Sequence, residues 1–177
     1  MTRSQEIEVG LRPWSEGDVG LLERLMGDPL MTDHLGGPET PEKIRNRNER
    51  YAAIGDASTG AMFVITAGPD DASAGSIGYW SREWRGEAAW ETGWSVLPEF
   101  QGRGIATRAA TLVVARARMD GAHRFLHAFP SVDNAASNAV CRNAGFTLLG
   151  EYEFEYPPGT AMPCNDWVMD LRGVVDL

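Results

Sequence analysis

Cysteine, histidine and lysine are all scarce in this 177-residue chain. The two cysteines, Cys141 and Cys164, match no metal-ligand spacing, and three scattered histidines add no zinc pattern. A disulfide between them is open on count alone, although nothing points to export. Lys43 is the only lysine, so the basic residues are nearly all arginine, which decides nothing about function. No run approaches the roughly 18 apolar residues that a membrane span needs. Met1-Thr2-Arg3-Ser4-Gln5-Glu6 leads into alternating residues without an apolar signal-peptide centre, so a soluble, cytoplasmic protein is expected. Positive charge is also short, with a formal net charge of -9. That balance argues against binding a nucleic-acid backbone, which needs clustered Lys and Arg. It suits a cationic acceptor, and equally suits a surface that merely stays soluble.

What is present is an ordinary globular composition, 43% hydrophobic and 23% charged, and a single domain over residues 1–177 is expected. Period-two alternation places a strand at Glu6–Arg12. Ser15 is a candidate N-cap for a helix over 16–27, with Leu21, Leu22 and Leu25 as its apolar stripe. A loop spans 31–38, and Thr40-Pro41 starts a second helix that ends near Gly55. Strands are predicted at 62–67, 75–80 and 89–97, then a helix at 105–119. A strand at 124–129, a helix at 134–143, a strand at 146–156, a turn at Pro157-Pro158-Gly159 and a strand at 167–171 complete the chain. The order is β-α-α-β-β-β-α-β-α-β-β, a mixed α/β domain.

A strand that runs through Gln101-Gly102-Arg103-Gly104 into a helix makes an anion site. The first N–H groups of a helix lack partners and its dipole favours negative charge. Gly102 and Gly104 allow close backbone approach, Ala106 stays small, and Arg103 and Arg108 could add charge-assisted bonds. A P-loop is excluded because no Gly-Lys-Ser/Thr follows. A dinucleotide fingerprint would need glycine where Thr107 stands, and too little chain remains for its sheet. A purely structural glycine turn is the remaining alternative.

Gln101-Gly102-Arg103-Gly104-Ile105-Ala106 resembles the Gln/Arg-x-x-Gly-x-Gly/Ala signature of the GNAT acetyltransferase superfamily. Asn134-Ala135-Ala136-Ser137-Asn138 through Gly145-Phe146 resembles that family's second block, an Asn, a short helix and Gly-Phe. Glu91-Thr92-Gly93-Trp94-Ser95-Val96 and Met31-Thr32-Asp33-His34-Leu35-Gly36-Gly37 are similar to the RimJ/RimL branch, which acetylates ribosomal-protein N-termini. The resemblance spans roughly residues 7–171. It implies a mixed central sheet, splayed between strands 4 and 5 and flanked by helices. It also implies acetyl-CoA as donor, a primary amine (a protein N-terminus or a small amine) as acceptor, and direct transfer in a ternary complex. Dimers occur in the family, so a homodimer is open. A non-catalytic acyl-CoA-binding module of the same fold is the alternative.

The resemblance implies site residues one by one. Amides from Gln101 through Thr107, with Gly102, Arg103, Gly104, Ile105 and Ala106 between, would hold the pyrophosphate. Val96 and Leu97 would pair with the pantetheine arm, and Asn134 would contact it. Glu91 is the leading general base, on a strand stretch flanked by Trp90 and Trp94, where burial would raise its pKa. The alternative is a carboxylate paired with an arginine. Relatives carry a tyrosine as the thiolate's acid where this chain has Cys141, so Ser137, one turn earlier, is the candidate. An acyl-Cys141 intermediate is the weaker reading beside a small buried residue. His123, Phe125, His127 and Phe129 alternate onto one predicted face, and Trp80, Trp84, Trp90 and Trp94 could wall an acceptor pocket or simply pack. The loops at 31–38 and 156–165 would frame the acceptor.

Overall fold

A computed structural model describes residues 6–55, 59–155 and 158–173. The N-terminal run Met1–Gln5, the predicted strand end Tyr156 and the first predicted turn residue Pro157 lie outside the described residues. The elements follow the predicted order: β1 Val9–Pro13, α1 Val19–Met26, α2 Pro41–Ala53, β2 Gly60–Ala67, β3 Ala72–Trp84, β4 Glu87–Val96, α3 Ile105–Asp120, β5 Phe125–Ala128, α4 Ala135–Asn143, β6 Thr147–Glu155 and β7 Ala161–Asp170.

Seven strands form one sheet in the order β1-β2-β3-β4-β5-β7-β6. All neighbours are antiparallel except β4 and β5. That parallel pair is short: Trp90, Glu91 and Thr92 meet Leu126, His127 and Ala128. Past Ala128 the chain turns away through Pro130, while β4 runs on to Val96, so the sheet opens between the two strands.

Strand alternation sorts the side chains onto two cores. Ile65, Ile77, Tyr79, Trp90 and Leu126 pack against Ile105, Ala109, Val113 and Ala117 of α3 on one face. Met62, Val64 and Leu97 pack against Leu22, Leu25 and Met26 of α1 and Ile44 of α2 on the other. Trp14 fixes α2 to the end of β1, its indole N–H donating to Asn48 Oδ1 at 2.9 Å.

Two of the differences from the sequence expectation lie in the front half of the chain. Asp18 accepts hydrogen bonds from both the backbone N–H and the hydroxyl of Ser15, at 2.8 and 2.9 Å, so a single 3-10 turn over 16–18 precedes α1. β3 is far longer than predicted, running over Ala72–Trp84, because Arg85 and Gly86 (φ 51° and 80°) make a two-residue turn between Trp84 and Glu87. Among the described residues no helix is long and apolar enough to cross a membrane.

Candidate active site

The opening between β4 and β5 is a cleft of about 750 Å³, lined by β4 from Glu91 to Val96, by the turn into α3, and by Ala128–Ser131, Asn134 and Ser137. At its floor lies an unused sheet edge. Trp84 and Glu87 close the two-residue turn as a hydrogen-bonded pair, so alternation directs the backbone groups of the even-numbered β4 residues toward β5. Trp90 and Thr92 find β5 there; Trp94 and Val96 face the cleft. An extended ligand with amide groups can add to this edge as a strand does. Val96 therefore stands where the pantetheine arm was expected. Leu97 does not: its N–H donates to Ala74 O at 2.8 Å, its carbonyl accepts from Phe100 N–H at 2.9 Å, and its side chain is buried in the second core. Trp94 is the other β4 residue whose backbone faces the cleft at this edge.

The edge runs straight into the glycine turn. Gly102 and Gly104 both adopt left-handed backbone (φ 72° and 73°), which folds the chain tightly enough to aim successive N–H groups one way. Among the described residues no backbone carbonyl takes the N–H groups from Gly102 to Thr107; the first bond into α3 runs from Arg108 N–H to Gly104 O. These free donors at the N-terminus of a 16-residue helix suit a diphosphate. Gln101 contributes differently from expectation. Its own N–H goes to Pro98 O at 3.2 Å, while its side-chain amide donates to Val96 O at 2.8 Å. Gly104, Ile105, Ala106 and Thr107 line the cleft, with the Ile105 side chain buried beneath it. Arg103 is exposed on the turn, outside the residues lining the cleft. Arg108 is spent elsewhere: its guanidinium bonds to Ile7 O and to Glu6 Oε1, the latter at 2.7 Å, so it does not reach toward a phosphate.

Opposite the edge, α4 presents its first turn. Asn134 caps the helix, its Oδ1 accepting from Ser137 N–H at 3.1 Å, and both side chains border the cleft. Asn138, which the sequence reading passed over, sets this corner. Its amide nitrogen donates to Ser131 O and Asn134 O at 3.0 and 2.9 Å, and its oxygen accepts from Asn165 Nδ2 and Trp167 Nε1 at 2.7 and 2.9 Å. All four bonds of the amide are made, which locks the helix start onto β7. The only hint in sequence was a second Asn four residues after the cap.

Cys141 lies on the far side of α4, fully buried in the first core, and burial pushes its thiol up to about 12. It does not line the cleft and is poorly placed to become a nucleophile. Burial likewise raises Cys164, to about 11.

Glu91 faces the cleft and is paired with an arginine, the alternative to a carboxylate buried between Trp90 and Trp94. Strand neighbours point to opposite faces, so Trp90 goes to the α3 core and leaves Glu91 on the other side. There Arg82 Nη1 donates to Glu91 Oε2 at 2.6 Å, with the two side chains 30% and 21% exposed. The four tryptophans separate in the same way. Trp80 lines the cleft, Trp84 packs beside Arg82, Trp90 is wholly buried, and Trp94 is half-buried against the first core.

The histidines also part. His123 precedes β5 and meets Trp90 and Ser81, whereas His127 sits across the sheet beside Trp84 and Phe129. His127 Nδ1 and the fully buried Asp166 Oδ1 share a hydrogen bond of 2.6 Å. The segment expected to be a loop up to residue 165 is strand from Ala161 onward, which is what brings Asp166 under the sheet.

A side cavity of about 180 Å³ opens beside the cleft, past Trp80 and Leu35, and ends at Glu39, Arg47 and Tyr51. Arg47 bonds to both carboxylate oxygens of Glu39, which holds that carboxyl below its ordinary range. The described residues contain no cluster of His, Cys, Asp or Glu able to hold a metal ion.

The fold agrees with comparisons to known proteins. The acetyltransferase (GNAT) domain family matches residues 8–147. A search of curated proteins returns no sequence match. Among solved structures, a GNAT-family acetyltransferase from Bacillus anthracis is similar at 17% identity and a TM-score of 0.76, covering 97% of this chain and 98% of that one. The Salmonella typhimurium acetyltransferase that modifies the N-terminal serine of ribosomal protein L7/L12 shares 24% identity and a TM-score of 0.75, over 94% of this chain and 96% of that one. The aminoglycoside acetyltransferase AAC(6')-Ib, in complex with coenzyme A, shares 16% identity and a TM-score of 0.74, over 92% and 95%. A family match over most of the chain, on a sheet that opens between β4 and β5 beside a glycine turn with free amides, makes this protein a member of the GNAT acetyltransferase family, an acetyl-CoA-dependent enzyme.

Proposed function

We propose that the enzyme transfers the acetyl group to one primary amine, with the α-amino group of a peptide or protein as its preferred acceptor. The observation that carries the transfer is a single cleft lined by two sets of free donors, the β4 edge at Trp94 and Val96 and the amides of Gly102–Thr107. In this reading the diphosphate lies on those amides, the pantetheine arm pairs with β4, and Asn134 faces the arm. Arg103 adds positive charge at the rim.

The bound donor supplies a thioester carbonyl that a neutral amine attacks directly, forming the C–N bond as the C–S bond breaks. Amines are protonated at neutral pH, so Glu91 first accepts a proton, directly or through water. The cleft-facing N–H groups of β4 are the donors available to a carbonyl oxygen that gains charge. Ser137 gives its hydroxyl proton to the departing sulfur and is replenished by the proton left on the new amide nitrogen. One proton is released to solvent in total.

Charge on the acceptor side favours a single amine over a polycation. Both carboxylates there already carry a guanidinium, Glu91 from Arg82 and Glu39 from Arg47, so little uncompensated negative charge remains for an aminoglycoside or polyamine. The similar Salmonella enzyme acts on a protein N-terminus.

The test is release of free CoA thiol from acetyl-CoA across an amine panel holding N-terminal peptides, a polyamine and an aminoglycoside. Acceptor-dependent release, fastest with peptides, supports the reading. Fastest release with the aminoglycoside contradicts the acceptor class. Tight CoA binding without any acceptor-dependent release makes the protein a binding module instead.

A further inference from the structure

Arg82 belongs to no sequence motif, yet its guanidinium, bonded to the cleft residue Glu91, lies among three aromatic rings. Its guanidinium carbon lies 5.3 Å from the Trp84 ring centroid, 5.0 Å from Phe129 and 5.1 Å from Phe154. The walls of this box are braced. Trp84 donates its indole N–H to Asp166 Oδ2 at 3.0 Å, and Asp166, fully buried, also holds His127, whose ring stacks on Phe129 at 5.7 Å and 7°. Trp84 in turn stacks on Phe154 at 5.5 Å and 21°. The box therefore reaches through Asp166 to β7 and through Phe154 to β6.

All of Arg82's polar bonding among the described residues goes to Glu91, on oxygen Oε2; no described residue donates to Oε1. Phe129 is both a wall of the box and part of the cleft lining, as Glu91 is. An ordinary exposed ion pair leaves both side chains free to rotate. Here three rings fix the cation, and they suit a flat, weakly hydrated guanidinium better than an ammonium. A guanidinium also keeps its protons at working pH, so it anchors a carboxylate without competing as an acid.

We propose that Arg82 is a positioning residue for acetyl transfer: the aromatic box clamps its guanidinium, which holds Glu91 in one rotamer and leaves Oε1 to take the acceptor's proton. The inference rests on Glu91 being the base. It differs from a stability role because it places the effect of Arg82 in turnover and not in donor binding.

The experiment is thiol release by the Arg82→Ala enzyme, with the best acceptor of the panel, with and without guanidinium chloride below denaturing concentration. Misplacing a base predicts a fall in kcat of the order of 10- to 100-fold. The KM for acetyl-CoA should stay at the wild-type value. Guanidinium should restore kcat saturably, since the empty box accepts it, whereas sodium chloride should not. Arg82→Lys should recover less activity than added guanidinium does. In the Glu91→Gln background, Arg82→Ala should cost nothing further and show no rescue. If Arg82→Ala melts too low to assay, Arg82→Gln with the same additives is read in its place.

Wild-type turnover in Arg82→Ala overturns the proposal, as does an unrescued loss that adds fully to that of Glu91→Gln. A wild-type enzyme inactive on every amine overturns acetyl transfer itself, and this inference with it. Wild-type activity beside an indifferent Arg82→Ala overturns the inference alone.

Discussion

The side chain of Gln101 donates to the backbone carbonyl of Val96 at 2.8 Å and so ties the glycine turn to the end of β4. The two halves of the proposed donor site, a strand edge and a helix start, are thereby held in one register. Replacing Gln101 with alanine removes one neutral hydrogen bond, worth about 1 kcal/mol, or roughly 5-fold in an equilibrium constant. The expected outcome is a KM for acetyl-CoA raised by about that factor, with kcat nearly unchanged. Steady-state kinetics with acetyl-CoA as the varied substrate checks it.

Gly104 and Gly121 stand at the two ends of α3 with nearly the same left-handed backbone, φ 73° and 67°. Alanine at either position should cost about 1 kcal/mol of stability, because each must keep a conformation that a Cβ disfavours. Only Gly104→Ala should weaken CoA binding, by the order of 10-fold, since its Cβ would project from the cradle into space that no protein atom fills within 4 Å. Thermal melts and calorimetric titration with CoA separate the two effects.

Cys141, where the family resemblance implies a tyrosine, is buried in the first core and does not line the cleft. With its thiol pushed up to about 12, it should not react with a thiol reagent in the native protein at pH 8. Cys141→Ala should keep kcat within about 2-fold, while losing about 1 kcal/mol of core packing. Loss of turnover without loss of fold would revive an acyl-cysteine step.

The Glu39–Arg47 pair gives stability a defined pH dependence. The carboxyl is held below its ordinary value of 4.5 mainly by its hydrogen bond to Arg47. A depressed folded value stabilises the protein above the unfolded pKa and loses that contribution as pH falls through the folded one. Glu39→Gln should therefore lower stability at pH 7 by about 1 kcal/mol. The gap to wild type should close as pH drops below about 4.5. Urea titrations at a series of pH values read this directly.

Much of the framework could be read from sequence, because its signals are local. The Thr40-Pro41 start of α2, the glycine pair before α3 and the Asn134 cap of α4 each act within a few residues of themselves. The β3–β4 turn escaped because Arg85 takes a left-handed conformation, which arginine does not advertise. The strand start at Ala161 escaped because Pro163 sits inside it, where its missing N–H is tolerated on the stretch beyond the end of β5. The surroundings of Glu91 were invisible for a different reason. Its partner Arg82 is across a hairpin, and the rings that hold Arg82 come from β3, β6 and the end of β5. Asn138 and Asp166 likewise acquire their roles only through residues far along the chain.

The central claim is amine acetylation with Glu91 as the proton acceptor. The most direct measurement is kcat for thiol release by Glu91→Gln, an isosteric change, beside its affinity for CoA. The account predicts a loss of about 10²- to 10⁴-fold in kcat with CoA affinity unchanged. Turnover equal to wild type would contradict it and remove Glu91 from the mechanism.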